Sequence, residues 1–127
     1  MVTAKEIMSR EVVSTLPSCT VEQVTRVLYH HGISGLPVLD SEKGVIGMVT
    51  EADILGRKTG QDTVQDIMSA PAETVEEDTS LEDIAVILAG KKIKRVPVVR
   101  EGKLVGIVSR ADVVRALAGR RREPPKP

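Results

Sequence analysis

The sequence predicts an α/β (α+β) fold made of one β-α-β-β-α unit written twice and packed as a pseudo-two-fold pair. Three observations lead there: an internal repeat, a helical and then extended periodicity inside each copy, and a composition suited to an aliphatic core. Lys5-Glu6-Ile7-Met8-Ser9 recurs as Gln65-Asp66-Ile67-Met68-Ser69, and Ile33-Ser34-Gly35-Leu36-Pro37-Val38-Leu39 as Ile93-Lys94-Arg95-Val96-Pro97-Val98-Val99, both at an offset of 60. After a one-residue deletion, Val45-Ile46-Gly47-Met48-Val49-Thr50-Glu51-Ala52-Asp53 recurs as Leu104-Val105-Gly106-Ile107-Val108-Ser109-Arg110-Ala111-Asp112. A repeat at such a period marks a structural unit that needs its neighbour to close a core.

Each element follows in turn. An extended piece near Val12 to Thr15 opens the first copy. Val21, Val24, Thr25 and Leu28 then fall at helical spacing; Thr20 and Gln23 form a capping box ahead of them and Gly32 closes the run, so a helix is expected over 20–31. Ile33 to Leu39 is an apolar run containing Pro37, which suits a strand with one unpaired N–H rather than a central ladder position. Ser41-Glu42-Lys43-Gly44 has turn chemistry, and Val45 to Val49 is the hairpin partner. Thr50 opens a short second helix that Gly56 ends. The second copy repeats the pattern through Ser80 to Ala89, Ile93 to Val99, Leu104 to Val108 and Ser109 to Ala118.

The expected domains are therefore 1–60 and 61–118. Residues 119–127, rich in Arg and Pro and without apolar periodicity, are expected to be disordered. A sixty-residue copy buries only about 60% of its unfolded surface, so the two sheets are expected to pack face to face and leave two equivalent clefts between copies.

Composition narrows the function. With 127 residues, 41% of them apolar and 28% charged, the chain is expected to be one globular unit, and its longest apolar runs are too short to span a bilayer. No secretory leader is visible at Met1 to Glu6 and there is a single cysteine, so a cytoplasmic location is expected. Eighteen basic residues balance eighteen acidic ones, and no overall field steers the chain toward nucleic acid or membrane. Tyr29 is the only aromatic residue, which leaves no stacking platform for single strands. Adjacent His30 and His31 point in different directions and Cys19 lies apart in sequence, so all three are read as structural and no metal site is expected.

The ordered set of Ile-Met, Gly-Leu-Pro-Val or Arg-Val-Pro-Val, and Gly-Met-Val-Thr-x-x-Asp or Gly-Ile-Val-Ser-x-x-Asp, occurring twice, resembles the cystathionine-β-synthase (CBS) domain over about residues 3–118. The resemblance implies a Bateman-type regulatory module. Such modules bind AMP, ADP, ATP, or in some cases S-adenosylmethionine or NADH, between the copies and often dimerise.

Thr50-Glu51-Ala52-Asp53 and Ser109-Arg110-Ala111-Asp112 read in two ways. As capping boxes, they satisfy backbone donors and touch no ligand. As binding motifs, their hydroxyls and first N–H groups hold a phosphate while Asp53 and Asp112 accept from a ribose. The family resemblance implies the second. Met48 and Ile107, just ahead of the motifs, join the candidate set.

Ile33-Ser34 and Ile93-Lys94 resemble the family's base-binding corner, although both isoleucines also suit an ordinary core. The first strands are expected to form the other wall, with Ser9, Glu11 and Val13 in one cleft and Ser69, Pro71 and Glu73 in the other. Each site is expected across the repeat: Ser109 and Asp112 with Ser9, Val13, Ile33 and Ser34, and Thr50 and Asp53 with Ser69, Glu73, Ile93 and Lys94. The basic run Lys91 to Arg95 is either a solvated helix end or a source of phosphate contacts through Lys94 or Arg95.

No nucleophile-base pair, metal-ligand cluster or Walker loop is visible, so no catalysis is expected. Three readings remain: an adenine-nucleotide sensor acting on a separate partner protein, a nucleic-acid binder using Lys91 to Arg95 and Arg120 to Arg122, and a ligand-free dimerisation module. Since Ile54, Leu55, Val113, Val114 and Leu117 offer more apolar surface than one core needs, a homodimer is expected.

Overall fold

The computed structural model describes residues 1–119. The expectations for the basic tail beyond Gly119 lie outside them. In chain order the elements are α1 (Ala4–Ile7), α2 (Val21–His31), β1 (Gly35–Leu39), β2 (Val45–Thr50), α3 (Glu51–Leu55), α4 (Val64–Ile67), β3 (Val75–Glu76), α5 (Leu81–Gly90), β4 (Arg95–Arg100), β5 (Lys103–Ser109) and α6 (Arg110–Gly119). The fold is mixed α+β, with a two-stranded sheet β1-β2 and a three-stranded sheet in the order β3-β4-β5.

These elements form two compact units whose limits differ from those of the repeats. The β1 unit comprises Val12–Glu73 with Glu101–Leu104; the β4 unit comprises Met1–Glu11, Thr74–Arg100 and the chain from Val105. Each repeat therefore lends its first residues to the unit built mainly from the other repeat.

Local sequence explains the helices. Thr20 accepts from the Gln23 N–H at 3.1 Å while the Gln23 side chain accepts from the Thr20 N–H at 2.8 Å, the capping box expected from sequence. Gly32 ends α2 at φ +62°, in the left-handed region. Val21, Val24 and Leu28 on α2, and Leu81, Ile84 and Leu88 on α5, give the same buried stripe. In the β1 unit the stripe meets Leu36, Val38, Val49, Val64 and Ile67; in the β4 unit it meets Ala4, Met8, Val75, Val96, Val98, Val108 and Val113. Both cores are aliphatic, and each fully buried Val, Leu or Ile contributes about 1.5–3 kcal/mol.

The one-turn helices α1 and α4 are not predicted by periodicity, and hydrogen bonds to the opposite repeat explain them. The first-turn N–H groups of Ala4 and Lys5 donate to the carbonyls of Thr79 and Glu77, and those of Val64 and Gln65 to Cys19 and Pro17, at 2.8–3.0 Å. A helix start normally leaves such donors unsatisfied.

Beyond each short helix the chain pairs with a strand of the other repeat. Ser9 exchanges two backbone hydrogen bonds with Ile107 at 2.9 and 3.0 Å, and Ser69 exchanges two with Met48 at 2.8 and 2.9 Å. The repeated Ile-Met and Val-Gly patterns have a joint cause here. A Cβ on Gly106 would overlap the Met8 Sδ and lie 2.7 Å from its Cγ; one on Gly47 would lie 2.9 Å from the Ser69 carbonyl and 3.0 Å from the Met68 Sδ. Glycine lets the thioether lie flat on the strand.

Two expectations are corrected. Pro37 is not at an edge: β1 pairs with β2 from Gly35↔Thr50 to Leu39↔Val45, and its other side bridges Thr15 in parallel. Thr15 donates to the Pro37 carbonyl and accepts from the Leu39 N–H, so one more parallel bridge would need a Pro37 N–H. Proline thus ends that short ladder at Thr15, and Pro97 stands in the same relation to β3, whose pairing begins at Val75↔Val98. Second, Val113 is buried in its core and Ile54 packs against the other, because each faces inward from its short helix. Leu55, Val114 and Leu117 remain exposed, as do Tyr29 and Val86.

Candidate functional site

Both Ser/Thr-x-x-Asp motifs are complete caps. Thr50 donates its N–H (2.9 Å) and hydroxyl (3.1 Å) to Asp53 Oδ2, and Ser109 does the same to Asp112 Oδ2 at 2.8 and 3.0 Å. The cap uses one carboxylate oxygen. The other differs between units: Asp53 Oδ1 accepts from the Ser69 hydroxyl at 3.3 Å, whereas Asp112 Oδ1 pairs with Arg115 at 3.1 Å. The cap reading and the ligand reading are thus compatible, because the carboxylate is held in place by Oδ2 and presents Oδ1.

The corners sit at the start of these helices. The Glu51 N–H donates to the Ser34 carbonyl at 2.9 Å, and the Arg110 N–H to the Lys94 carbonyl at 3.0 Å. Arg110 Nε also reaches the Ile93 carbonyl at 2.8 Å. Ile33 and Ile93 are half-buried and packed on their respective cores.

The β1 unit therefore holds Ile33, Ser34, Met48, Thr50, Asp53, Ser69 and Glu73, and the β4 unit holds Ser9, Glu11, Ile93, Lys94, Arg95, Ile107, Ser109 and Asp112. Ser69 reaches Asp53 across the repeat, whereas the Ser34 and Lys94 corners, expected beside the motif of the opposite copy, bond instead to the helix start of their own. Each corner joins the motif of its own copy within one unit. Val13 packs on the β1-unit core, while Ser9 and Glu11 belong to the β4 unit.

Sequence reasoning missed Arg115 as the partner of Asp112 and Arg110 as the residue fastening the Ile93 corner. Arg115 lies outside the matched motif, and its counterpart is Gly56. A groove of about 680 Å³ in the β1 unit, lined by Leu28, Tyr29, Ile54 and Leu55 among others, shares Ile33 and Ser34 with the candidate site but not Thr50, Asp53 or Ser69. Among the described residues no group of three His, Cys, Asp or Glu could hold a metal ion, and no helix is long and apolar enough to cross a membrane.

Known proteins resemble this chain in sequence and structure. The CBS domain model matches residues 4–60 and 64–119. The inosine-5'-monophosphate dehydrogenase of Korarchaeum cryptofilum is 37% identical over 111 residues, an alignment covering 87% of this chain and 23% of that enzyme. The chain spans between 23% and 61% of the length of three curated relatives it matches. CBSX2 from Arabidopsis thaliana, in complex with AMP, superposes with a TM-score of 0.88 at 32% identity, covering 95% of this chain and 100% of that one. The CBS domain pair of MJ0100, in complex with 5'-methylthioadenosine and S-adenosyl-L-methionine, superposes with a TM-score of 0.85 at 26% identity, covering 95% and 99%.

Proposed function

Given that the chain belongs to the CBS-domain family and carries that domain twice, we propose that it is a regulatory module that binds an adenine nucleotide, AMP, ADP or ATP, and catalyses no reaction. One observation carries the reading: each Ser/Thr-x-x-Asp carboxylate is fixed by its own helix cap through Oδ2, which leaves Oδ1 for other donors, and the same helix start is bonded to the Ser34 or Lys94 corner of its copy. Ribose hydroxyls need such an acceptor, held rigidly so that little is lost in ordering it. The complexes of CBSX2 with AMP and of MJ0100 with adenosyl ligands support the ligand class. S-Adenosylmethionine and NADH are the alternative ligands. The module signals to a separate partner protein, and no cofactor is needed.

A thermal-shift panel of AMP, ADP, ATP, S-adenosylmethionine, NADH and an oligonucleotide tests this. A bound ligand at 100 times its dissociation constant stabilises by roughly 2.7 kcal/mol. A shift with the oligonucleotide alone, or with none of the six, refutes the reading. Asp53→Ala and Asp112→Ala should each weaken one binding event by about 1.5–3 kcal/mol, as for hydrogen bonds to charged groups.

A further inference from the structure

We propose that the two units divide adenosyl ligands between them: the β4 unit takes one carrying phosphates, and the β1 unit one whose 5′ substituent is neutral or cationic. The proposal rests on the nucleotide-site reading above and deepens it.

The observation is a charge difference at matched positions. Lys94, Arg95, Arg110 and Arg115 in the β4 unit correspond to Ser34, Gly35, Glu51 and Gly56 in the β1 unit. The same backbone bond, from the first helical N–H to the corner carbonyl, brings Arg110 to one corner and Glu51 to the other, at 3.0 and 2.9 Å. Arg110 is further fastened through Nε to the Ile93 carbonyl. Oδ1 of Asp112 pairs with the Arg115 guanidinium, and that of Asp53 accepts from the Ser69 hydroxyl.

Packing locks in the difference. A Cβ at Gly35 would lie 3.1 Å from the Val49 carbonyl and 3.3 Å from the Thr50 Cγ2, so the β1 unit leaves no easy room for a side chain there. In the other repeat Arg95 stands at the position of Gly35 and Ser109, which lacks that methyl group, at the position of Thr50. A phosphate chain is suited to a corner of guanidinium and ammonium groups, which bind it by charge-assisted hydrogen bonds. Beside Glu51 the same chain meets repulsion, while a thioether is indifferent to the charge and a sulfonium is attracted.

Calorimetry on the chain with ATP and 5'-methylthioadenosine as probes tests this. Asp112→Ala should weaken the ATP event about tenfold or more and keep the methylthioadenosine event; Asp53→Ala should do the reverse. The graft Lys94→Ser with Arg115→Gly exchanges exposed side chains for those of the other repeat. It should weaken ATP about tenfold or more and change methylthioadenosine less than about threefold. In the unaltered protein, added salt should weaken ATP steeply and leave methylthioadenosine nearly unchanged. The division is overturned if each Asp variant weakens one event with no discrimination between probes, or if the graft and salt affect both probes alike. If neither Asp variant alters any event, the site reading itself fails, and the division with it.

Discussion

Removing the glycine that seats Met8 tests the exchanged packing directly. A methyl group at residue 106 would overlap the Met8 Sδ and lie 2.7 Å from its Cγ and 3.0 Å from its Cβ. A rotamer change relieves the first two overlaps and leaves the third, because rotation about χ1 does not move Cβ. Gly106→Ala should therefore cost about 1–3 kcal/mol, the range for overpacking. Met8, only 9% exposed, should cost about 2–5 kcal/mol when cut to alanine. In the double variant the new methyl enters the space the thioether has left, so the combined loss should fall short of the sum by about 1 kcal/mol or more. Urea unfolding followed by circular dichroism reads all four corners of the cycle, and in a melt each kcal/mol moves Tm by about 4 °C for a chain of this length. Additivity within about 0.5 kcal/mol would refute the contact. Met8→Ala with Gly47→Ala is the control and should be additive.

Three other outcomes are expected. Thr20→Ala removes the acceptor for the Gln23 N–H at the start of α2 and should cost about 1 kcal/mol in the same assay; an unchanged midpoint counts against the cap. The bidentate hydrogen bonds from Arg100 hold the Glu77 carboxyl below its ordinary 4.5, and the Thr63 backbone holds Asp66 below 3.8. Because both folded-state values are depressed, their contribution is present above those pH values and lost as pH falls through the folded ones. Stability should thus decline in acid below about pH 4.5, and Glu77→Gln with Asp66→Asn should flatten that decline; an identical acid limb in the variants contradicts it. The exposed Tyr29, Leu55, Val86, Val114 and Leu117 are read as surface that a second copy covers, so light scattering should give twice 13.7 kDa, and a monomer mass at micromolar concentration sinks that reading.

What the sequence discloses is what is decided locally. The helix over 20–31 is legible because Thr20, Gln23, Gly32 and the apolar spacing all agree within twelve residues. The hairpin from Gly35 to Thr50 is legible because its turn residues separate two apolar runs. Helices α1 and α4 are illegible, since four residues carry no periodicity and their donors are satisfied by Thr79, Glu77, Cys19 and Pro17 in the other repeat. Pro37 misleads because the side of β1 on which an N–H is missing depends on where Thr15 docks. At the site, Asp53 and Asp112 stand out by their motifs, and the contrast of Ser34 with Lys94 is visible once the repeats are aligned. That Arg115 flanks Asp112, while Gly56 leaves the matching place empty of charge, needs the folded helix.

The crossing of the first eleven residues into the β4 unit has a bearing on assembly. A chain of one repeat could complete its core only by trading its leading segment with a second chain, so its folding would depend on concentration. Joining two repeats makes the trade intramolecular, at an effective concentration on the order of millimolar for a short connection. Each unit of the present chain can then close at any dilution. Proteolytic removal of the residues before Val12 should strip Ala4 and Met8 from a core whose other members begin at Val75, so damage at one end of the polypeptide unfolds the unit encoded at the other.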